Sequence, residues 1–77
     1  MELIKYNRIA EVLAEKGLSQ AWLAEQLGVS EVAVSNWCTQ RNQPSFANLY
    51  AIADLLEIDV RELLIPNERS PRKDFWF

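Results

Sequence analysis

Apolar residues recur at helical spacing along the first 65 positions of the chain, and short polar stretches with turn residues divide them into segments. The first segment, residues 5–16, predicts an amphipathic helix. Its apolar stripe consists of Ile9, Val12 and Leu13, with Tyr6 one turn earlier. Gly17 follows directly and is the expected C-cap, because glycine adopts the left-handed backbone conformation at little cost.

Three serines mark the expected starts of three further helices. Ser19 and Ser30 can accept hydrogen bonds from the free N–H groups of helices running to about Leu27 and about Thr39. After a polar loop that contains a proline, Ser45 can cap a fourth helix in the same way. The buried stripe of that fourth helix is expected to be Leu49, Ile52, Ala53 and Leu56.

A fifth, short helix is predicted after the fourth. Asp59 and Glu62 have the spacing of a capping box, with aspartate in place of serine or threonine. We expect this helix to reach Leu64 or Ile65 and to stop at Pro66. Residues 1–65 are therefore expected to form one small all-helical domain.

The last twelve residues, 66–77, differ in composition from this domain. They are polar and interrupted by proline until the chain ends in Phe75, Trp76 and Phe77. Because three aromatic side chains are costly to leave in water, we expect the cluster to dock. The sequence leaves open whether it docks on its own domain, on a second copy of the chain or on another protein.

The stretch from Gln20 to Trp37 has the register of two short helices joined by a tight turn. Ala24 is small enough for one helix to approach the other, and Gly28 permits the backbone angles that the turn needs. The inner faces are expected to bury Leu23, Leu27, Val34 and Trp37. This pattern predicts a helix-turn-helix, which commonly places its second helix in the major groove of DNA.

The chain from residue 9 to residue 63, about 70% of its length, resembles the Cro/phage-repressor (XRE) family of helix-turn-helix domains. The matching motifs are Gly17-Leu18-Ser19-Gln20, Leu23-Ala24, Leu27-Gly28-Val29-Ser30, Val34-Ser35-x-Trp37, Pro44-Ser45 and Leu55-Leu56-x-Ile58. The resemblance implies a compact five-helix, lambda-repressor-like all-α fold. It also implies a homodimer that binds double-stranded DNA at two half-sites about one helical turn apart.

The resemblance further implies which side chains contact the duplex. The base edges would be contacted from the start and outer face of the third helix, by Glu31, Val32, Ser35 and Asn36. The phosphates would be held by Ser19, Gln20, Ser30, Thr39, Arg41 and Asn42. Such phosphate contacts orient the protein without selecting a sequence.

Three positions depart from the family pattern. Leu13 and Cys38 replace a common arginine–glutamate pair, so we expect an apolar contact there, with Cys38 in the core. Gln40 replaces a usual glycine, so the loop that carries the last phosphate contacts could follow another path. Trp22 is expected to point away from the face of Leu23, toward the tail or a partner.

Composition limits the chemistry that the chain can support. Eleven acidic and eight basic residues give a net charge of −3, which predicts weak non-specific attraction to DNA. One cysteine and no histidine argue against an internal disulfide and the common zinc ligand sets, and favour the reducing cytoplasm. No cofactor is expected. We expect no membrane segment, since no apolar run approaches ~20 residues.

The motifs and the composition leave two candidate functions. The favoured one is a sequence-specific DNA-binding regulator, most simply a repressor whose bound dimer occludes a promoter. The alternative is a protein-interaction module, such as the antitoxin of a toxin–antitoxin pair, which the acidic charge, Trp22 and the aromatic tail favour. An enzyme is not expected, because the chain lacks histidine and its carboxylates show no paired spacing.

Overall fold

The computed structural model describes residues 4–67, whose regular secondary structure is helical apart from one isolated β-bridge. They form α1 (Ile9–Lys16), α2 (Gln20–Leu27), α3 (Glu31–Cys38), α4 (Phe46–Leu56) and a 3-10 helix (Val60–Leu63). The predicted all-α class is confirmed. The five predicted helices are four α-helices and one 3-10 turn, and the tail cluster at 75–77 lies outside the described residues.

All five helices contribute to one apolar core. The buried members are Ile9, Val12, Leu13, Leu23, Ala24, Val34, Trp37, Leu49, Ile52, Ala53, Leu56 and Leu63. The stripes predicted from helical spacing on α1 and α4 are buried, except for Tyr6, which is 54% exposed. Leu27 is only partly buried and packs against the edge of the core. Within residues 4–67 no helix is long and apolar enough to cross a bilayer.

The three predicted serine caps are present. The hydroxyl oxygen of Ser19 accepts a hydrogen bond from the backbone N–H of residue 22 at 3.0 Å. Ser30 caps α3 in the same way at 3.0 Å, and Ser45 caps α4 at 3.1 Å. Each cap satisfies a backbone donor that the first helical turn leaves free, a contribution of about 1 kcal/mol.

The four α-helices share one form of C-terminus. Each is followed by a left-handed residue, namely Gly17 (φ 69°), Gly28 (φ 72°), Gln40 (φ 67°) and Glu57 (φ 57°). In every case the N–H of the next residue returns to a carbonyl five positions earlier, the bond of a Schellman motif. The two glycines were predicted as turn residues, whereas the left-handed conformation of Gln40 and Glu57 was not.

The first helix is shorter than predicted. It begins at Ile9, because the side-chain oxygen of Asn7 accepts the N–H of that residue at 3.0 Å and starts the helix there. Asn7 itself pairs with Leu64, near the end of the described chain, through an isolated antiparallel bridge. The apolar character of Tyr6 therefore does not indicate a helical turn.

The fifth helix also ends early. The predicted capping box is present, with Asp59 accepting from the N–H of Arg61 at 2.8 Å and Glu62 accepting from that of Asp59 at 3.4 Å. Four residues follow as a 3-10 helix, and the extension to Leu64 is wrong. Leu64 is instead extended, since it pairs with the N-terminal segment, residues 4–8.

Candidate nucleic-acid interface

The helix-turn-helix predicted between residues 20 and 37 is present as α2, a tight turn and α3. The N–H of Val29 donates to the carbonyl of Ala24 at 3.0 Å and closes the end of α2. Leu23 and Val34 are fully buried between the helices, and Ala24 is 3% exposed. The left-handed Gly28 then lets the chain reverse into α3.

The four residues predicted to contact bases share the outer face of α3. At 100° per residue they span an arc of about 140°, opposite the buried Val34 and Trp37. They are Glu31 and Val32, both exposed, and Ser35 and Asn36, both half-buried. Val32 is 68% exposed although it is apolar. Since Ser30, the N-cap of α3, is exposed, the first turn of the helix is also open to a ligand.

The backbone carbonyl of Asn36 accepts several hydrogen bonds, whereas its side chain is unpaired within the described residues. Its carbonyl oxygen accepts the N–H groups of Arg41 at 2.9 Å and Asn42 at 3.2 Å, which fixes the backbone at the end of α3. Its side-chain amide forms no hydrogen bond with any residue between 4 and 67. An amide in this state can donate and accept at once, as a bidentate contact with adenine requires.

The six residues predicted to contact phosphates are all exposed. They are Ser19, Gln20, Ser30, Thr39, Arg41 and Asn42. The two serines accept backbone bonds as caps, so their hydroxyl protons are available to a phosphate. The hydroxyl of Thr39 donates to the carbonyl of Ser35 at 2.9 Å, so it has no second proton for a phosphate unless it rotates.

Most basic side chains in the described part of the chain are paired with carboxylates. The three ion pairs are Lys5 with Glu11, Arg8 with Glu15 at 3.4 Å, and Arg61 with Asp59 at 3.0 Å. The two without a carboxylate partner among residues 4–67 are Lys16 and Arg41. Of these, Arg41 lies in the loop just after α3, and its charge is therefore available beside the helix predicted to contact bases.

The departures from the family pattern have mixed outcomes. Leu13 is buried, but Cys38, predicted to be a core residue, is only half-buried and packs against the core. Burial, and to a lesser degree the nearby charge of Glu11, raises the pKa of the Cys38 thiol. Trp22, expected to point away from the face of Leu23, is partly buried and packs against the core.

Gln40 keeps the left-handed conformation that a glycine would adopt, and its side chain adds a feature that the sequence did not predict. Its Oε1 accepts the backbone N–H groups of Tyr6 at 3.0 Å and of Asn7 at 3.3 Å. Its Nε2 donates to the carbonyl of Asn7 at 3.0 Å. The amide of Gln40 therefore pairs with both backbone groups of Asn7, as a neighbouring β-strand would.

Asn7 is the buried centre of this arrangement, at 1% exposure. Its Nδ2 donates to the carbonyl of Trp37 at 3.0 Å and to Oε1 of Gln43 at 2.8 Å. We refer to Asn7, Gln40 and Gln43 as the amide cluster. It joins the N-terminal segment to the loop after α3, and no local sequence signal reveals it, because Asn7 lies more than 30 positions from both glutamines.

Candidate metal ligands do not converge within the described residues. Between positions 4 and 67 no three side chains among cysteine, aspartate and glutamate form a group that could hold an ion. Beside the carboxylate of Glu31 and the apolar Val32, the surface assembled around α3 carries hydroxyl, amide and guanidinium groups. These groups suit hydrogen bonding to base edges and phosphates.

Comparisons with known proteins agree with this geometry. A family model described as helix-turn-helix matches residues 9–63. The HTH-type transcriptional activator BcrR of Enterococcus faecalis is 33% identical over 62 residues, which cover 80% of this chain and 30% of that protein. This chain thus spans under a third of that relative's length.

A solved structure is similar as well. A crystal structure from Bacteroides fragilis, provisionally described as a DNA-binding protein, has 49% sequence identity and a TM-score of 0.75. The match covers 77% of this chain and 95% of the other. The helix-turn-helix geometry and these matches together show that the chain belongs to the Cro/phage-repressor (XRE) family of helix-turn-helix DNA-binding domains.

Proposed function

We propose that this protein binds double-stranded DNA sequence-specifically as a homodimer and regulates transcription, most simply by occluding a promoter. The observation that carries the proposal is the outer face of α3, where Val32 is exposed and Asn36 half-buried, opposite a buried face that holds the helix to the domain. The descriptions of the two relatives, one a transcriptional activator and one provisionally DNA-binding, support the same class of function. The protein acts by binding, with no catalytic step, in the cytoplasm.

The side chains of α3 divide between the chemical features of base edges. Asn36 pairs with adenine, Val32 packs on a thymine methyl group, and Glu31 accepts from a cytosine amino group. Ser35 lies between them and donates to a neighbouring base. Each good contact discriminates against the wrong base by roughly 1–3 kcal/mol.

Phosphate contacts from both sides of α3 orient the domain on the duplex. They come from the exposed residues around the starts of α2 and α3 and after the end of α3, which are Ser19, Gln20, Ser30, Thr39, Arg41 and Asn42. The N-termini of α2 and α3 add favourable backbone dipoles at two of these points. Because the net charge is −3, non-specific affinity is low and the base contacts carry a large share of the binding free energy.

The test is a selection of bound duplexes from a random library, followed by fluorescence anisotropy of the enriched duplex over a salt series. We expect a palindrome with two half-sites about one helical turn apart, and affinity that falls as salt rises. Sedimentation of the complex should give two chains per duplex. A reporter with the selected sequence placed over a promoter should lose transcription. No enrichment over scrambled DNA would contradict the proposal.

Substitution of Asn36 tests the base contacts directly. We expect Asn36→Ala to relax the preference at one base position in each half-site, at a cost of roughly 1–3 kcal/mol on the preferred duplex. The fold should survive, because the side chain forms no hydrogen bond within the described residues. Asn48→Ala on α4 is the matched control and should leave the selected sequence unchanged. An unaltered preference in Asn36→Ala would remove this residue from the proposed contacts.

A specific observation favours a second function, binding of a partner protein as an antitoxin does. Phe46 and Tyr50 lie one turn apart on α4 and are 81% and 59% exposed. Phe46 also lines an apolar groove of about 130 Å³ with Tyr6 and Leu64. The partner or dimer contacts proposed for Trp22 and residues 75–77 belong to this function. Failure of the DNA selection, with a stable complex of the intact chain and a co-encoded protein, would support it.

A further inference from the structure

Two backbone bonds fix the loop that follows α3 where the chain leaves the helix. The N–H groups of Arg41 and Asn42 both donate to the carbonyl of Asn36, so the loop starts in a defined direction. These bonds do not fix the part of the loop that follows Asn42. Beyond Asn42 the chain is exposed until it reaches Pro44.

The side chain of Gln40 supplies the missing connection. Through its contacts with Tyr6 and Asn7, at 3.0–3.3 Å, it fastens the loop to the N-terminal segment. Gln43 closes the same loop, since its Nε2 donates to Oε1 of Gln40 at 3.2 Å while its own Oε1 accepts from Asn7 at 2.8 Å. Arg41 and Asn42 are therefore enclosed between two residues of the amide cluster.

The helix ending alone does not require this side chain. Glu57 ends α4 with the same left-handed backbone, and its side chain forms no hydrogen bond within residues 4–67. A glycine would adopt φ 67° with less strain than Gln40 does. Strained residues persist where the surrounding structure holds them, and here the strained residue immediately precedes a guanidinium without a carboxylate partner in the described part of the chain.

We propose that Gln40 is a positioning residue for DNA binding: by clamping the loop to the N-terminal segment, it holds Arg41 and Asn42 at a phosphate. The inference rests on the proposed function. Among residues 4–67 only Lys16 and Arg41 lack a carboxylate partner. Fixing Arg41 before binding lowers the conformational entropy that is lost when it contacts a phosphate. Gln40 itself touches neither base nor phosphate.

A double-mutant cycle tests this role, with wild type, Gln40→Gly, Arg41→Ala and the double variant bound to the selected duplex over a salt series. We expect Arg41→Ala to weaken binding about tenfold and to reduce the steepness of the salt dependence by about 0.9 per half-site. Gln40→Gly should weaken binding three- to tenfold and flatten the salt dependence in the same direction. In the Arg41→Ala background it should have less than a twofold effect.

Several controls separate positioning from loss of the fold. Circular dichroism should show that Gln40→Gly is folded, and Gln40→Asn, which tolerates the left-handed conformation but is one methylene shorter, should reproduce its effect. Glu57→Gly changes the equivalent residue of α4 and should leave both affinity and salt dependence unchanged. The base preference of every Gln40 variant should equal that of wild type.

The outcomes distinguish this inference from the proposed function. If wild type selects a duplex but the effects of Gln40→Gly and Arg41→Ala multiply in the double variant, the positioning role is wrong and DNA binding stands. The same holds if Gln40→Gly retains wild-type affinity and salt dependence. If wild type does not distinguish any duplex from scrambled DNA, the proposed function fails and this inference fails with it.

Discussion

The ends of α3 and α4 use the same backbone geometry for different purposes. Gln40 and Glu57 both adopt the left-handed conformation, at φ 67° and φ 57°, and both are followed by the returning N–H bond of a Schellman motif. The side chain of Gln40 bonds to a segment 33 positions away, whereas that of Glu57 is exposed. A shared local motif therefore does not reveal which helix end is tied to the rest of the domain.

The left-handed residue at the end of α3 is expected to stabilise the fold on balance, whereas the one at the end of α4 is expected to destabilise it. A non-glycine residue in the left-handed region costs about 1 kcal/mol relative to glycine. The bonds of Gln40, at roughly 0.5–1.5 kcal/mol each, exceed that cost. Glu57 has no such bonds among the described residues, and its negative charge lies at the negative end of the α4 dipole. The strain at α4 is thus not offset.

The largest expected effect comes from removing the residue that Gln40 contacts. Asn7→Ala leaves the carbonyl of Trp37 and the N–H of Ile9 without their buried partner, at a cost of about 2–4 kcal/mol in the free energy of unfolding. Urea denaturation followed by circular dichroism measures it. Asn42→Ala, in the same region but exposed, should stay within about 0.5 kcal/mol of wild type.

A small loss in Asn7→Ala would mean that water replaces the amide bonds without difficulty. The end of α3 would then be no better connected than the end of α4. The comparison between the two helix ends would in that case reduce to backbone geometry alone.

The next effect compares the two helix ends directly by placing glycine at each. Gln40→Gly relieves the strain but loses the side-chain bonds, so we expect a net loss of about 1 kcal/mol. Glu57→Gly relieves strain and loses nothing, so we expect a gain of about 0.5–1 kcal/mol. Thermal unfolding of both variants under one condition measures the difference.

If Gln40→Gly and Glu57→Gly both gained the same stability, the hydrogen bonds of Gln40 would contribute less than its backbone strain costs. Gln40→Ala provides the matched control at α3, because it loses the bonds and keeps the strain. It should be less stable than Gln40→Gly by about 1 kcal/mol.

Sequence reasoning succeeded where the determinants of structure are local. Caps at Ser19, Ser30 and Ser45, and the turn at Gly28, each depend on residues within one helical turn. The outer face of α3 could be predicted for the same reason, since the burial of Val34 fixes the rotation of the helix. Contacts of that face with DNA stay a prediction.

The remaining differences arise from pairing between distant parts of the chain. The residues before α1 and after the 3-10 helix are joined by the bridge between Asn7 and Leu64. From the sequence, Gln40 could be recognised only as a departure from the usual glycine. The hydrogen bonds that offset its backbone strain are made to residues 6 and 7, far away in the sequence. Helical periodicity carries no information about either contact.

The smallest expected effect concerns a charged contact of the same N-terminal segment. Lys5 bonds to Glu11 and lowers the pKa of that carboxyl below its ordinary value of 4.5. Both groups are substantially exposed, so Glu11→Gln should cost no more than about 0.5 kcal/mol at pH 7 and less in high salt. Because the pKa of Glu11 is lowered in the folded state, the stabilisation is present above the unfolded-state pKa and is lost as pH falls through the folded-state pKa.

Urea denaturation from pH 7 to pH 3 should therefore show wild type and Glu11→Gln converging in acid. The loss in Asn7→Ala should persist, since it involves no titratable group. If Glu11→Gln costs as much as Asn7→Ala at pH 7, the exposed ion pair, and not the buried amides at the end of α3, holds the N-terminal segment.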